Sequence, residues 1–326
     1  MMSIRSLAGA CLSAFAALGA FAVPASAQNY PTRTITMIVP FAAGGPTDVI
    51  SRIVTAHMAQ TLGQSIVIEN VVGAGGTTAT TRAARAANDG YTLITGHMGT
   101  HAASVPLYPK LAYHPEKDFE PVALLAGTPI LILARKDFPP KDLKEFVAYV
   151  KANAEKVNAA HAGIGSVSHA SCELLNSILD VKPVGVPFNG TGPAMNALVA
   201  GQVDYMCDQI VNAVPQIKAG TIKAYAVATP ERNPSLPEVP TTTEAGLPAF
   251  QAQAWNAVFA PKGASPAIIA TLNAAAIKAL DDDNVRKRLL DLGSVIPAPA
   301  NRTPEALATL VKNEIAKWTP VLKPAS

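Results

Sequence analysis

Two short stretches of this chain place glycine and proline where a backbone can grip an anion. The first is Pro40-Phe41-Ala42-Ala43-Gly44-Gly45-Pro46-Thr47-Asp48, the second Pro187-Phe188-Asn189-Gly190-Thr191-Gly192-Pro193. Pro-Phe and Gly-Pro recur at the same offsets in both. Glycine allows a tight turn and leaves room for a ligand to approach the backbone. Proline suits the first turn of a helix, where its missing N–H costs nothing. Such a helix start points free N–H groups and the positive end of its dipole outward, ready for negative charge. A matched pair of these turns predicts two lobes closing on one acidic ligand. Each turn alone is also compatible with an ordinary strand-to-helix connection.

Further polar residues gather in loops. Gly96-His97-Met98-Gly99-Thr100-His101 follows a third apolar stretch. The two histidines could sit on one helix face as metal ligands, but the segment is broken by glycine and lacks a carboxylate neighbour, so no metal is expected. His97 and Thr100 read instead as polar groups near a pocket mouth. In Ala159 to Ala170, Gly163 and Gly165 are turn residues, and Ser166 and Ser168 can cap the helix that follows. The same turn could offer N–H and hydroxyl groups to a ligand, and His169 is either a donor there or a packed histidine. Asp208 and Gln209 are expected beyond the end of a short strand, Val203 to Met206. Asp208 then either meets a cationic group on the ligand or holds a loop N–H.

These groups must be positioned by alternating strands and helices. Ile35 to Val39, Ser65 to Asn70 and Tyr91 to Thr95 read as strands, with helices after Pro46 and from Thr77 to Ala87. This alternation predicts an α/β fold with mostly parallel sheets, in which ligands collect at the carboxyl ends of the strands. Val122 to Ala126 and Ile130 to Ala134 read as two strands, the second crossing into another lobe. Val184 to Phe188 and Ile222 to Ala228 are strands of that lobe, and Ala254 to Ala260 returns to the first. Ser265 to Leu292 reads as one long amphipathic helix, and Pro304 to Leu322 holds the last. Trp255 and Trp318 are expected to pack rather than stack on a ligand.

Arg5, the small apolar run Leu7 to Val23 and Ala25-Ser26-Ala27 form a secretory signal peptide over residues 1–27. No later segment is apolar for long enough to span a bilayer, so the mature chain is not expected to insert in a membrane. Lys and Arg number 26 against 23 Asp and Glu, with no basic run or stripe, which argues against nucleic acid as a partner. Cys172 and Cys207 remain after cleavage, and an oxidising compartment allows a disulfide between them. The G-x-S-x-G, P-loop, G-x-G-x-x-G and H-E-x-x-H patterns are absent, which weighs against an enzyme. A secreted hydrolase using Ser166 and His169 is the catalytic alternative.

Several segments together resemble the solute-binding proteins of tripartite tricarboxylate transporters, the Bug (Bordetella uptake gene) family. They are P-F-x-x-G-G-x-x-D at Pro40 to Asp48, I-E-N-x-x-G-A-G-G at Ile68 to Gly76 and D-G-Y-T at Asp89 to Thr92. A-G-x-G-S-x-S-H at Ala162 to His169, G-T-G-P-A-M at Gly190 to Met195, G-Q-V-D at Gly201 to Asp204, P-E-V-P-T at Pro237 to Thr241 and F-A-P-K-G at Phe259 to Gly263 complete the set. The resemblance implies a two-lobe type II periplasmic binding protein with two crossover strands. Lobe 1 would comprise 28–127 and 251–326, and lobe 2 would comprise 128–250. It implies a periplasmic receptor, without cofactor or catalysis, that passes a small carboxylate to membrane permease subunits. A sensor subunit with the same fold and ligand is the other alternative. The implied ligand contacts are Phe41, Ala42, Gly44, Gly45, Thr47 and Asp48 on one side, to which the loop reading above adds His97 and Thr100. Opposite them are Gly165, Ser166, His169, Phe188, Asn189, Gly190, Thr191, Gly192, Pro193 and Asp208. Met206-Cys207-Asp208-Gln209 is similar to members that bind aspartate-like amino acids, whereas Gly96 to Thr100 departs from the usual Asn-Thr-Ser-Thr type loop.

Overall fold

The computed structural model describes residues 30–322, so the expected signal peptide lies outside the described residues. β1 (Ile35–Val39) runs parallel to both β2 (Ile66–Asn70) and β3 (Thr92–His97) and lies between them. Its apolar residues face protein on both sides: Ile35, Met37, Ile38 and Val39 are fully buried, as a central parallel strand requires. α1 (Pro46–Leu62) follows β1, and α2 (Thr77–Ala84) follows β2. After β3 come a π-helical turn at Gly99–Ala103 and α3 (Ser104–Leu107).

β4 (Phe119–Arg135) is one strand where the sequence suggested two. The Gly127-Thr128-Pro129 segment between the two expected strands is not a turn. It is where β4 changes partners. The chain continues through α4 (Leu143–Asn153), β5 (Asn158–His161), α5 (Val167–Leu179), β6 (Val184–Pro187) and α6 (Thr191–Val199). β7 (Tyr205–Gln209), α7 (Ile210–Lys218), β8 (Ile222–Val227) and β9 (Gln253–Pro261) follow. Phe119 to Pro129 of β4 pairs antiparallel with β9, whereas Ile130 to Arg135 pairs with β7 and β8. β5 lies parallel to β6 and β7, repeating the arrangement of β1 to β3.

The chain crosses back just before β9. The Ala252 N–H donates to Ala228 O at 2.9 Å, and the Ile130 N–H donates to Ala252 O at 3.3 Å. β9 then pairs with β3 as well as β4. The sheet order is β2-β1-β3-β9-β4-β7-β5-β6, with β8 also on β4. The fold is thus the expected α/β type, two parallel-strand halves joined through β4 and the return into β9.

α8 (Pro266–Asp281), α9 (Asp283–Asp291) and α10 (Pro304–Leu322) close the first half. The single helix expected over Ser265 to Leu292 is broken at Asp282. That residue is extended (φ −69°, ψ 128°), and its carboxylate caps α9 by accepting from the Val285 N–H at 2.9 Å. Trp255 and Trp318 are buried, as expected, and both indole N–H groups donate to the Glu314 carboxylate.

Candidate ligand-binding site

The two proline-glycine turns touch. The Ala42 N–H donates to Asn189 O at 3.0 Å. A Cβ on Gly190 would lie 3.1 Å from Ala42 N, and one on Gly192 would lie 3.1 Å from Ala43 O. These glycines are set by close approach of backbone to backbone. Gly44, in contrast, has φ +86°, which is the turn itself. A second contact seals the far edge. The Tyr108 hydroxyl sits 2.7 Å from Ile164 O and 3.0 Å from Ala74 O, and Gly75 packs directly under the Ile164 carbonyl.

Behind the corners is a small cavity of about 20 Å3, room for about one water molecule with the two corners in contact. Phe41, Gly45, Pro46, Thr47, Asp48 and His97 line it from the first half. Ala162, Ser166, Val167, Ser168, Thr191 and Gln209 line it from the second. Three helix N-termini converge there: α1 after Gly45, α5 after Ser166 and α6 after Gly190. The first-turn amides of a helix have no intrahelical acceptor, so these ends offer N–H donors and positive potential. No Lys or Arg is among the lining residues. The one lining acid, Asp48, is occupied. It accepts from the Gly44 N–H at 3.0 Å, Arg52 Nε at 2.9 Å and Asn70 Nδ2 at 3.0 Å. Burial pushes the Asp48 pKa up, but the bonds from Arg52, Gly44 and Asn70 outweigh it and leave the carboxyl below its ordinary value.

His97 lines the cavity with its protonation fixed. Its Nδ1 accepts from the N–H groups of Gly99 (2.8 Å) and Thr100 (3.2 Å), so Nε2 carries the hydrogen. Burial lowers its pKa to about 3, keeping the ring neutral, and it stacks on Phe41 with centroids 5.0 Å apart. Ser166 caps α5, its Oγ accepting from the His169 N–H at 3.2 Å. The serine thus meets the backbone of His169 and not its ring. That ring packs against His161 at 5.0 Å, and its Nδ1 accepts from the Gly165 N–H at 3.4 Å.

Of the expected contacts, Phe41, Gly45, Thr47, Asp48, His97, Ser166 and Thr191 share this cavity. Ala42, Asn189, Gly190 and Gly192 make the corner-to-corner contact, and Pro193 lies in the first turn of α6. Phe188 and Asn189 also border an adjoining, more open hollow with Tyr108 and Gly163. Thr100, Gly165 and His169 are not among the lining residues. Thr100 is buried against the histidines, its Oγ1 2.9 Å from His101 Nδ1. Gly165 stacks on Tyr108.

Asp208 holds a backbone N–H, the second of its two expected roles, but from within the strand. β7 runs on to Gln209, so Asp208 lies inside the strand and not beyond its end. Strand alternation turns neighbours to opposite faces. Gln209 lines the cavity, whereas Asp208 is fully buried behind it, accepting from the Gln209 N–H (2.8 Å) and Asn212 Nδ2 (2.7 Å). Burial raises its pKa to about 7. Period-two alternation was the signal that could have chosen Gln209, had the strand's end been placed correctly. Cys172 on α5 and Cys207 on β7 are both buried, with sulfurs 2.7 Å apart. A larger hollow of about 870 Å3 between β4, β9, α8 and α10 suits an anion poorly, because Glu116, Glu120 and Glu305 face a single Lys262 there.

Two parallel-strand halves joined by crossing strands, with helix N-termini facing one cavity between them, define a periplasmic binding protein architecture. Residues 50–326 match the family described as tripartite tricarboxylate transporter family receptor, and the chain belongs to it. A UPF0065 protein of Agrobacterium vitis is 42% identical over 298 residues, covering 91% of this chain and 86% of its own. The solved structure of MatC from Rhodopseudomonas palustris with bound malate is 61% identical, with a TM-score of 0.88 over 90% of this chain and all of that one. The periplasmic binding protein BugD is 42% identical, with a TM-score of 0.87 over 90% of this chain and 98% of its own.

Proposed function

We propose that the protein is a periplasmic receptor that captures a short dicarboxylate and delivers it to the permease subunits of a tripartite tricarboxylate transporter. The observation that carries this reading is the meeting of three helix N-termini at one cavity lined by no basic side chain. An anion placed there exchanges its hydration for fixed N–H donors, the hydroxyls of Thr47 and Ser166, and bridging water. Charge-assisted bonds to backbone N–H groups and ordered waters make that exchange nearly even. Malate is the first candidate, since MatC carries it at 61% identity.

Capture works by closure. Lobe 1 comprises 28–127 and 251–326 and lobe 2 comprises 128–250, and they swing about Thr128 to Ile130 of β4 and the return at Gln251 to Gln253. The corner contact between Ala42 and Asn189 and the Tyr108 contact with Ile164 form as the lobes shut. A ligand that binds the native state raises its melting temperature. Thermal-shift screening of the purified protein against a panel of carboxylates is expected to single out C4 dicarboxylates, with malate among them. No shift with any di- or tricarboxylate overturns the receptor reading. Loss of dicarboxylate uptake in a deletion strain supports the transport role, and intact uptake with lost gene induction contradicts it.

A further inference from the structure

We propose that Gln209 makes this cavity accept unaminated short dicarboxylates and reject their amino-acid counterparts. The inference rests on the receptor reading above and narrows its ligand class. Gln209 ends β7 with its side chain toward the cavity. Its Oε1 accepts two hydrogen bonds, from Thr128 Oγ1 at 2.7 Å and from Asn256 Nδ2 at 3.0 Å. Both partners are fully buried. Thr128 stands where β4 changes sheet partners, and Asn256 is on β9 opposite His97.

The direction of the two amides follows from what each choice leaves unpaired. As placed, the unpartnered buried atom is Asn256 Oδ1. Reversing both amides would leave an Asn256 N–H orphaned in its stead. Buried orphan N–H groups are rarer than under-satisfied carbonyls. The placed direction is therefore the favoured one, and it leaves the Gln209 amide group facing the ligand as a donor.

Besides the hydroxyls of Thr47, Ser166, Ser168 and Thr191, which can donate or accept, the fixed groups at the cavity are of the same kind. His97 is a neutral donor through Nε2, and the helix ends donate N–H. The only lining carboxylate, Asp48, already accepts from Gly44, Arg52 and Asn70. Asp208 is fully buried behind the lining residue Thr191, whose side chain it bonds, and its oxygens already accept from the Gln209 N–H and Asn212 Nδ2. An α-ammonium group would bring three more donors and a positive charge to this donor-rich wall, with only neutral hydroxyls to accept and no uncommitted lining carboxylate to balance the charge. A carboxylate, or a hydroxyl that can accept, finds partners. A site whose buried polar groups fit one ligand and leave the other unpaired discriminates by large factors.

Gln209→Glu keeps an acceptor for Thr128 and Asn256 and turns a negative oxygen toward the ligand. The test is titration calorimetry near neutral pH with L-malate, succinate and L-aspartate, on the wild type, Gln209→Glu and Gln209→Met. The wild type is expected to bind malate and succinate at least roughly a hundredfold more tightly than aspartate. Gln209→Glu should weaken the dicarboxylates by roughly thirtyfold or more and strengthen aspartate, reversing or cancelling the preference. Gln209→Met, which only removes the donor, should narrow the ratio and serves if the glutamate variant does not fold. Equal wild-type affinity for aspartate and malate overturns the proposal, as does an unchanged ratio in a folded variant, while the receptor function stands. A folded wild type that binds none of the three acids overturns this inference, and the receptor reading falls with it only if the wider carboxylate panel also gives no shift.

Discussion

The two corners offer the ligand the same chemistry but are braced from behind by different means. Behind the first corner, Asp48 holds the Gly44 N–H and is itself held by Asn70 and by Arg52, one turn along α1. The Arg52 side chain is half exposed, so this brace reaches solvent. Behind the second corner, Asp208 is fully buried and has no cationic partner among the described residues. Asn212 links it to the corner, donating to both Asp208 Oδ2 (2.7 Å) and Thr191 O (3.0 Å). The consequence is a difference in carboxyl pKa. Asp48 is held below its ordinary value, whereas burial lifts Asp208 to about 7. One corner keeps its charge through the neutral range, and the other changes state within it.

The corners also differ in how much room they leave. A Cβ on Gly192 would meet backbone, at 3.1 Å from Ala43 O and 3.3 Å from both Gly44 C and Gly45 N. A Cβ on Gly45 would first meet the Thr191 Oγ1 hydroxyl, at 3.4 Å. A side chain can give way and a packed backbone turn cannot. Gly192→Val is therefore expected to hold the corners apart and weaken ligand binding by roughly a hundredfold, about 3 kcal/mol. Gly45→Ala is expected to cost only about threefold, under about 1 kcal/mol. Calorimetry on the two variants, with melting curves of the ligand-free proteins as a control, measures the asymmetry. Equal losses would mean that both corners are equally tight.

Asp208 gives a pH effect whose sign is fixed. Its folded pKa of about 7 lies above its ordinary 3.8. At pH below 3.8 it is protonated in folded and unfolded chains alike, and its contribution to stability is fully present. As pH rises toward 7 the unfolded chain ionises first, so stability falls, and the loss levels off above 7. The effect amounts to a few kcal/mol at most. Asp48 works the other way, losing its contribution as pH falls below the ordinary carboxylate range. Urea unfolding between about pH 5 and 8 should show a decline in the wild type that Asp208→Asn flattens. The variant disturbs the bond from Asn212, so the slope is the informative quantity and not the absolute stability. An unchanged slope would mean that the second corner does not titrate.

The parts of this molecule that repeat a local rule were readable from its residues. β1 and α1 followed from apolar periodicity and the Gly45-Pro46 start, and the second corner followed because Phe188 to Pro193 repeats the first. The misread parts depended on partners distant in sequence. Gly127-Thr128-Pro129 has the composition of a turn, but pairing with β9 holds it extended, and β7 and β8 take over from Ile130 onward. Asp282 interrupts a helical pattern through a cap that periodicity alone does not reveal. The end of β7 was misplaced because Tyr205 to Gln209 is fixed by pairing with β4. That shift exchanged Asp208 for Gln209 at the cavity. His169 does not line the cavity, because its ring packs against His161 from the preceding strand.

The smallest effect should come from the exposed end of the first brace. Arg52→Ala removes a contact with Asp48 that is one helical turn long and half in water, together with a bond to Asn70 Oδ1 at 3.1 Å. Solvent screening limits such a pair to about 1 kcal/mol or less. Asp48 would still accept from the Gly44 N–H and Asn70 Nδ2, so the corner keeps its shape and ligand affinity should change less than about threefold. The stability difference between wild type and variant should shrink further in molar salt, because exposed charges are screened there. Asn212→Ala is the matching cut at the second corner. It strips a hydrogen bond from a buried carboxylate and should cost more, about 1–3 kcal/mol, with little response to salt. Chemical denaturation of both variants at low and high salt ranks the two braces. A larger loss from Arg52→Ala than from Asn212→Ala would invert the ranking and make the solvent-linked aspartate the stronger support.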